Sequence, residues 1–231
     1  MYPIYTLERR MFTFKTIRGD LLKKRSEKYF KIIDSAIREF ADKGYEAAST
    51  NNIAKIANVS KGLIFKYFGN KENLYIESLI RAIEIVKDEF ENFLSNSNKE
   101  DFFILLKEWS LRKIQIFHKN PVLSKFLLTI LDIPEELFKK IQFIYEDSLE
   151  ISASKLFDSF LKLPIRDDLP KEKVFDFLMI LLQSIGNKYI REFYKHSDRF
   201  LEKKEELLND FDLYLEIIKN GILSKTNFKN S

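Results

Sequence analysis

Long segments of this chain repeat apolar residues at intervals of three and four positions, and few glycines or prolines interrupt them. The 231 residues include only six glycines and five prolines. A β-sandwich or β-barrel needs many tight turns, which use both residue types, whereas spacing by three and four places apolar side chains along one face of an α-helix. The sequence therefore predicts an all-α fold, with an N-terminal three-helix bundle and a larger C-terminal helical domain.

The composition indicates a globular protein of the cytoplasm. Apolar residues make up 45% of the chain and charged residues 32%, and no stretch of about 18 uncharged apolar residues could span a bilayer. Cysteine is absent, which excludes disulfide bonds and thiolate metal ligands. No N-terminal segment combines an apolar core with a small-residue cleavage site, so we expect the chain to stay in the cytoplasm.

Charge is unevenly distributed between the first third of the chain and the rest. Residues 1–71 contain 15 lysines and arginines against 7 acidic residues, a net charge of +8. The remaining residues contain 24 against 28, a net charge of −4. A basic first third favours a polyanionic partner such as nucleic acid. A solvated basic surface without a partner is the alternative that charge alone leaves open.

The region after residue 25 has the pattern of a helix-turn-helix. A first helix is expected over 27–43, between Ser26, which can cap it, and Gly44, which suits the left-handed residue that ends a helix. A shorter helix should follow from Thr50, its expected N-cap, to Ala57. A third helix begins after a three-residue turn. Two short helices joined in this way behind a longer supporting helix define the motif.

The residues before this region are basic and lack sustained periodicity. Residues 1–25 contain seven lysines and arginines, opposed only by Glu8 and Asp20. We expect a flexible basic arm. Beside a helix-turn-helix such an arm could enter the minor groove or track phosphates, and a disordered tail without a function is the equal alternative.

The third helix is expected to lie in the major groove, with its first residues against base edges. Lys61 can donate to guanine, Gly62 lets the backbone come close, and Leu63 suits a thymine methyl group. Asn51 is a second candidate for base contact, and hydroxyl and amine donors at the rim would hold phosphates. The candidate DNA-contact set is Thr50, Asn51, Lys61, Gly62, Leu63, Phe65, Lys66, Tyr67 and Lys71.

These residues also carry a family resemblance. Gly44-Tyr45, the run 49–68 and the run 70–74 together resemble the DNA-binding signature of TetR-family regulators. The resemblance spans residues 26 to 75. Asn58 stands where glycine is usual, but asparagine tolerates the left-handed conformation, and Phe65 stands where tyrosine is usual, which removes one hydroxyl donor.

The resemblance implies a homodimeric regulator, a repressor whose C-terminal domain binds an effector that relieves repression. Double-stranded operator DNA, a second copy of the chain and a small apolar effector would be its partners. The expected domains are a basic arm over 1–25, a DNA-binding domain over 26–71, and an effector-binding and dimerisation domain over 72–231.

The C-terminal region is expected to be helical and rich in aromatic residues. Helices are expected at about 71–94, 101–118, 121–131, 135–162, 171–195 and 199–223. Its aromatic residues could line an apolar pocket, although any one of them is more often plain core. The candidate ligand-binding residues are Trp109, Phe117, Phe126, Phe143 and Phe177.

The last two of these helices carry apolar residues on more than one side. One side of each helix can pack within the subunit, which leaves the other side for a partner helix in a dimer. The candidate interface residues are Phe175, Leu178, Leu182, Gly186 and Tyr189.

Catalytic and metal-binding patterns were not found in the sequence. His118 and His196 are isolated, and no HExxH motif, CxxC motif, nucleophile elbow or glycine-rich phosphate loop accompanies them. We therefore expect no catalytic residue, metal or cofactor. Two rivals to a ligand-responsive regulator stay open. One is an architectural or cell-division factor without an inducer, and the other is a helical scaffold or enzyme whose basic end binds acidic partners.

Overall fold

A computed structural model describes residues 26–97, 101–195 and 200–223, except for some side chains in the last three helices. Nine α-helices and one short 3₁₀ helix account for most of these described residues. In chain order they are α1 (Glu27–Ala47), α2 (Thr50–Ile56), α3 (Lys61–Phe68), α4 (Lys71–Asn96), α5 (Phe102–Lys119), α6 (Pro121–Leu128), the 3₁₀ helix Thr129–Leu131, α7 (Glu135–Leu161), α8 (Lys171–Lys195) and α9 (Phe200–Ile222). The predicted all-α fold is therefore confirmed. None of the described helices is both long and apolar enough to cross a membrane.

The chain divides into two compact units, and the boundary between Ser78 and Leu79 falls inside α4. The N-terminal unit contains α1 to α3 and the first turns of α4. The C-terminal unit contains the rest of α4 and all later helices.

In the N-terminal unit, α1 supplies the supporting helix. Its buried face includes Ile33, Ile37 and Phe40, as the three- and four-residue spacing predicts. The Ser26 hydroxyl caps the helix by accepting a hydrogen bond from the Tyr29 backbone N–H at 3.3 Å. The regular helix breaks at Gly44, where φ is 72°, and one further turn extends the element beyond the predicted end.

The start of α2 differs from its prediction by one residue. Ser49, not Thr50, is the N-cap, and its side chain makes no capping hydrogen bond. Thr50 is the first helical residue, and a carboxylate from α1 binds the Ser49 backbone N–H, as described below. Asn58 takes the expected left-handed conformation in the following turn, with φ at 53°, and the Ser60 hydroxyl caps α3.

In the C-terminal unit, the helix boundaries agree with the predicted ones to within two residues, except that α6 ends at Leu128 and the 3₁₀ helix completes the predicted segment 121–131. A hydrophobic cluster fills its interior, and aromatic rings form much of that cluster. The ring of Phe160 lies 5.5 Å from the Phe102 ring and 5.0 Å from the Phe175 ring, measured between centroids. Members of the cluster or residues packed on it include Phe90, Trp109, Phe117, Phe157, Leu178 and Leu215.

The side of α8 that was predicted to form the dimer interface instead faces the core of its own subunit. Leu178 is 0% exposed, so it cannot reach a partner. Phe175 and Leu182 are partly buried against the same cluster. The prediction is therefore wrong for Leu178, and the exposed apolar residues of α8 lie on the other side of the helix.

The candidate ligand-binding residues do not form one group. Trp109 and Phe117 share the hydrophobic cluster, whereas Phe126 is fully buried elsewhere in the C-terminal unit. Phe177 is exposed on α8 and lies outside this cluster. Three further candidates lie outside the residues whose side chains the structure describes: Phe143, Gly186 and Tyr189.

Candidate DNA-binding surface

The third helix is fixed to the N-terminal unit along one side only. Ile64 and Phe68, four residues apart on α3, are buried, and the Phe68 ring packs 5.1 Å from the Tyr29 ring of α1. The other side of the helix is left for solvent or a partner. This arrangement is the one that a recognition helix requires, since its readout side must be accessible while its position is rigid.

Most of the candidate DNA-contact residues lie on this accessible side or beside it. The exposed candidates are Asn51, Lys61, Gly62, Phe65, Lys66 and Tyr67. The half-exposed candidates are Thr50, Leu63 and Lys71. None of the nine is buried, so all of them remain candidates for contact with DNA.

The first turn of α3 brings the three expected base-reading residues together. The Lys61 ammonium group lies 5.7 Å from the Phe65 ring centroid on the surface, so no buried partner competes for it. A Cβ atom on Gly62 would meet only the Ser60 hydroxyl at 4.0 Å. Packing within the subunit therefore does not require glycine at position 62, and the absence of a side chain there lets a partner's surface approach closely.

Two of the expected phosphate donors have partners within the N-terminal unit. The Tyr67 hydroxyl lies 2.8 Å from the Ser26 hydroxyl. Lys71 donates from Nζ to the Glu46 backbone carbonyl at 2.9 Å and lies 4.9 Å from the Tyr45 ring centroid. An ammonium group has three donors, so this contact orients Lys71 without using its full capacity.

A residue that the sequence did not single out holds the motif in place. Glu39 of α1 is 5% exposed, and its Oε1 accepts a hydrogen bond from the Ser49 backbone N–H at 3.0 Å. Its Oε2 accepts a second, short hydrogen bond from the Asn52 side-chain amide. The carboxylate thus binds an otherwise unpaired N–H at the start of α2, where the helix dipole also favours a negative charge. A lone carboxylate on the apolar side of the first predicted helix was the signal available in the sequence.

Replacing Glu39 by glutamine should loosen the start of α2. Loss of the charge weakens the hydrogen bond to the Ser49 N–H and the interaction with the helix dipole, and an NH2 group replaces the acceptor that faces the Asn52 amide, at a combined cost of about 1–3 kcal/mol. Hydrogen exchange of residues 49–57 should therefore accelerate by about 5- to 150-fold when local opening controls it. The matched control is Glu46→Gln, because the Glu46 side chain is exposed, and unchanged exchange in Glu39→Gln would contradict the role given to the carboxylate.

A recognition helix with an accessible first turn, held by two other helices and flanked by basic and hydroxyl groups, defines a helix-turn-helix DNA-binding protein. The family model for bacterial regulatory proteins of the TetR family matches residues 32–77. Residues 32–77 therefore form the DNA-binding region of a TetR-family regulator, and the protein is a DNA-binding transcriptional regulator.

Relatives and solved structures agree with this assignment. The negative transcriptional regulator IcaR of the icaADBC biofilm operon in Staphylococcus epidermidis is 28% identical over 191 residues, which cover 78% of this chain and 97% of that protein. The fatty acid metabolism regulator protein of Bacillus subtilis is 31% identical over 94 residues, which cover 39% of this chain and 48% of that protein.

Two solved structures are similar in fold. The Bacillus subtilis regulator FadR, crystallised with stearoyl-CoA, has a TM-score of 0.66 at 20% identity and covers 82% of this chain and 97% of its own. A TetR family transcriptional regulator from Chloroflexus aurantiacus has a TM-score of 0.56 at 19% identity and covers 90% of this chain and 98% of its own. At these identities the likeness supports the fold alone.

Proposed function

We propose that this regulator represses transcription by binding a roughly palindromic operator as a homodimer, and that an effector in its C-terminal unit releases it. The observation that carries the proposal is the accessible first turn of α3, with Lys61, Gly62 and Leu63 presented to a partner. Repression is supported by IcaR, a negative transcriptional regulator. The match to this chain covers 97% of the length of IcaR. We expect the protein to act in the cytoplasm, because its operator lies there.

Dimerisation is proposed through the outward sides of α8 and α9. Ile180 on α8 is 67% exposed and Ile217 on α9 is 61% exposed. Phe177 and Leu213 are exposed beside them, three and four residues away, so each helix has an apolar stripe on its solvent side. A two-fold axis would pair these stripes in a four-helix interface.

The two helices that carry these stripes contact each other. The Lys188 ammonium group lies 3.4 Å from the Tyr214 hydroxyl, which joins α8 to α9. Exposed apolar residues on two helices in contact can form one apolar surface, and exposure of such a surface to solvent is unfavourable.

The effector is proposed to bind in the C-terminal unit, where FadR of Bacillus subtilis supplies a related fold crystallised with stearoyl-CoA. Since α4 runs without interruption from one unit into the other, a displacement of this helix would change the spacing of the two reading heads. The effector can release the operator only if it binds the displaced state more tightly than the DNA-bound state.

Selection of bound duplexes from a random library tests this function. The purified full chain should enrich a palindrome whose half-sites lie one helical turn, about 34–36 Å, or a multiple of it apart. Enrichment of no sequence would contradict operator binding, and enrichment of a single half-site would contradict the dimer.

Replacing Tyr67 by phenylalanine should weaken binding to all duplexes equally. The hydroxyl is proposed to donate to a phosphate, and a hydrogen bond to a charged group contributes about 1.5 kcal/mol or more, which is about tenfold in affinity. The control is Ser26→Ala, which removes the intrachain partner of the hydroxyl but keeps the hydroxyl itself. Since this change also removes the cap of α1, circular dichroism must show that the helix is retained. Fluorescence anisotropy measures the affinity of Tyr67→Phe for the selected operator and for an unrelated duplex. The ratio of these two affinities should be the same as for the natural protein. A changed ratio would assign Tyr67 to base recognition.

A further inference from the structure

Lys113 on α5 has no carboxylate partner among the described residues, unlike two other cations of that helix. On α5, Lys107 pairs with Asp212 at 2.7 Å and Arg112 pairs with Glu89 at 2.9 Å. Lys113, next along the helix, makes no hydrogen bond or ion pair with any described residue, and it is only half-buried. Its burial lowers the pKa of the ammonium group from the ordinary value. A charge held in this way is unfavourable unless a counter-charge arrives.

A second unpaired donor lies one turn earlier on the same helix. The Trp109 side chain is only 9% exposed, and no described residue accepts a hydrogen bond from its indole N–H. Buried indole N–H groups usually have an acceptor. The Lys113 ammonium group lies 6.0 Å from the Trp109 ring centroid, so the two donors belong to one place.

The wall beside these donors is aromatic. The Trp109 ring packs against Phe90 and Phe93 of α4, at centroid distances of 4.7 and 5.7 Å. Phe117, one turn beyond Lys113, is partly buried in the same hydrophobic cluster. Two donors without acceptors beside an apolar wall suit a molecule with a hydrocarbon body and one small group of negatively charged oxygens.

We propose that Trp109 and Lys113 bind the oxyanion group of an apolar effector, a hydrocarbon that carries a carboxylate or a phosphate. The ammonium group supplies the counter-charge and the indole N–H a second hydrogen bond, so both unpaired donors are satisfied at once. The expectation of a purely apolar effector is thereby replaced by an amphiphilic anion. Anion binding at this site does not depend on the proposed function, whereas an effect of the anion on operator binding rests on it.

The chain offers a direct readout, because Trp109 is its only tryptophan. The full-length protein is titrated with decanoate, decyl phosphate and decanol, each below its micelle-forming concentration, while tryptophan fluorescence is recorded. We expect at least one of the two anions to bind about tenfold or more tightly than decanol, as hydrogen bonds to a charged group imply. Decanol binding as tightly as both anions, or no binding by either anion, overturns the proposal.

Variants of Lys113 test the role of the charge. Lys113→Met keeps a long apolar side chain and should lose that tenfold or greater preference while binding decanol as before. Its fold should persist, since the change removes an unpaired charge, and circular dichroism checks this. Lys113→Arg should retain the preference, and so should the matched control Lys119→Met, because Lys119 is exposed at the end of the same helix. Unchanged anion binding by Lys113→Met overturns the site.

Operator binding in the presence of the bound anion separates this site from the proposed function. Release of the operator by the anion in the natural protein, but not in Lys113→Met, supports both. Anion binding with unchanged operator affinity supports the site and contradicts its role as the effector site. Release of the operator by another compound while the anions fail to bind supports the proposed function and overturns the site.

Discussion

A protein with Ile180 replaced by glutamate should be a monomer, and its operator affinity should fall by about 100-fold or more. The side chain is largely exposed in the single subunit, so a glutamate there is hydrated and the subunit stays folded. In the proposed dimer the same position would bury a charge without a partner, once on each side of the two-fold axis. A lone reading head also loses the effective concentration that its linked partner supplies, which is worth a factor of about 10²–10⁴.

Sedimentation velocity and operator titration would measure the two effects together. Ile217→Glu should act in the same way, because Ile217 is the corresponding exposed residue of α9. Ile104→Glu is the matched control, since Ile104 is 43% exposed on α5 of the same unit, away from both stripes in the sequence. A dimer that survives both Ile180→Glu and Ile217→Glu would place the interface elsewhere.

The sequence of α8 does not show which of its two apolar sides faces a partner. Apolar residues occur on both sides of this helix, so the periodicity predicts two apolar faces without saying which one meets the subunit's own core. Leu178 was assigned to the partner and is buried within the subunit, whereas Ile180, two positions later, lies outside. Residues two apart on a helix point in very different directions, and only the packing of α8 on its neighbours decides between them.

The helix-turn-helix was far easier to predict from local signals. Capping residues, a left-handed asparagine and a buried pair four residues apart act within a few positions of one another, so the sequence contains nearly all of the information. Even there, the sequence predicts Thr50 as the N-cap of α2, whereas the N-cap is Ser49. The carboxylate that binds this helix start, Glu39, comes from another helix. A contact across ten or more residues cannot be read from local spacing.

The same distinction applies to Trp109 and Lys113. Both are visible in the sequence one turn apart, but a helical lysine is usually solvated and a tryptophan is usually core. Their significance follows from burial and from unpaired donors, which depend on how α4 packs against α5. Of the three neighbouring cations on α5, the sequence alone could not indicate which two would find a carboxylate.

Lys61→Ala should remove sequence discrimination at one base pair of each half-site. A lysine at the first turn of a recognition helix can donate to guanine O6 and N7, and such a contact is worth about 1–3 kcal/mol of discrimination. A dimer reads two half-sites, so the loss applies twice for a palindrome. The change should leave the fold intact, because Lys61 is exposed and its only described contact is the surface Phe65 ring.

The measurement for Lys61→Ala is competition among all single-base variants of the selected operator. The natural protein should reject the three wrong bases at one position of the half-site, and the variant should accept all four there while keeping its preferences elsewhere. Lys66→Ala is the control, since Lys66 is exposed on the same helix but is proposed to hold a phosphate, which affects all sequences alike. If Lys61→Ala weakened every duplex equally and Lys66→Ala altered the base preference, the roles of the two lysines would have to be exchanged. Such a result would move the base-reading part of α3 one turn further along the helix.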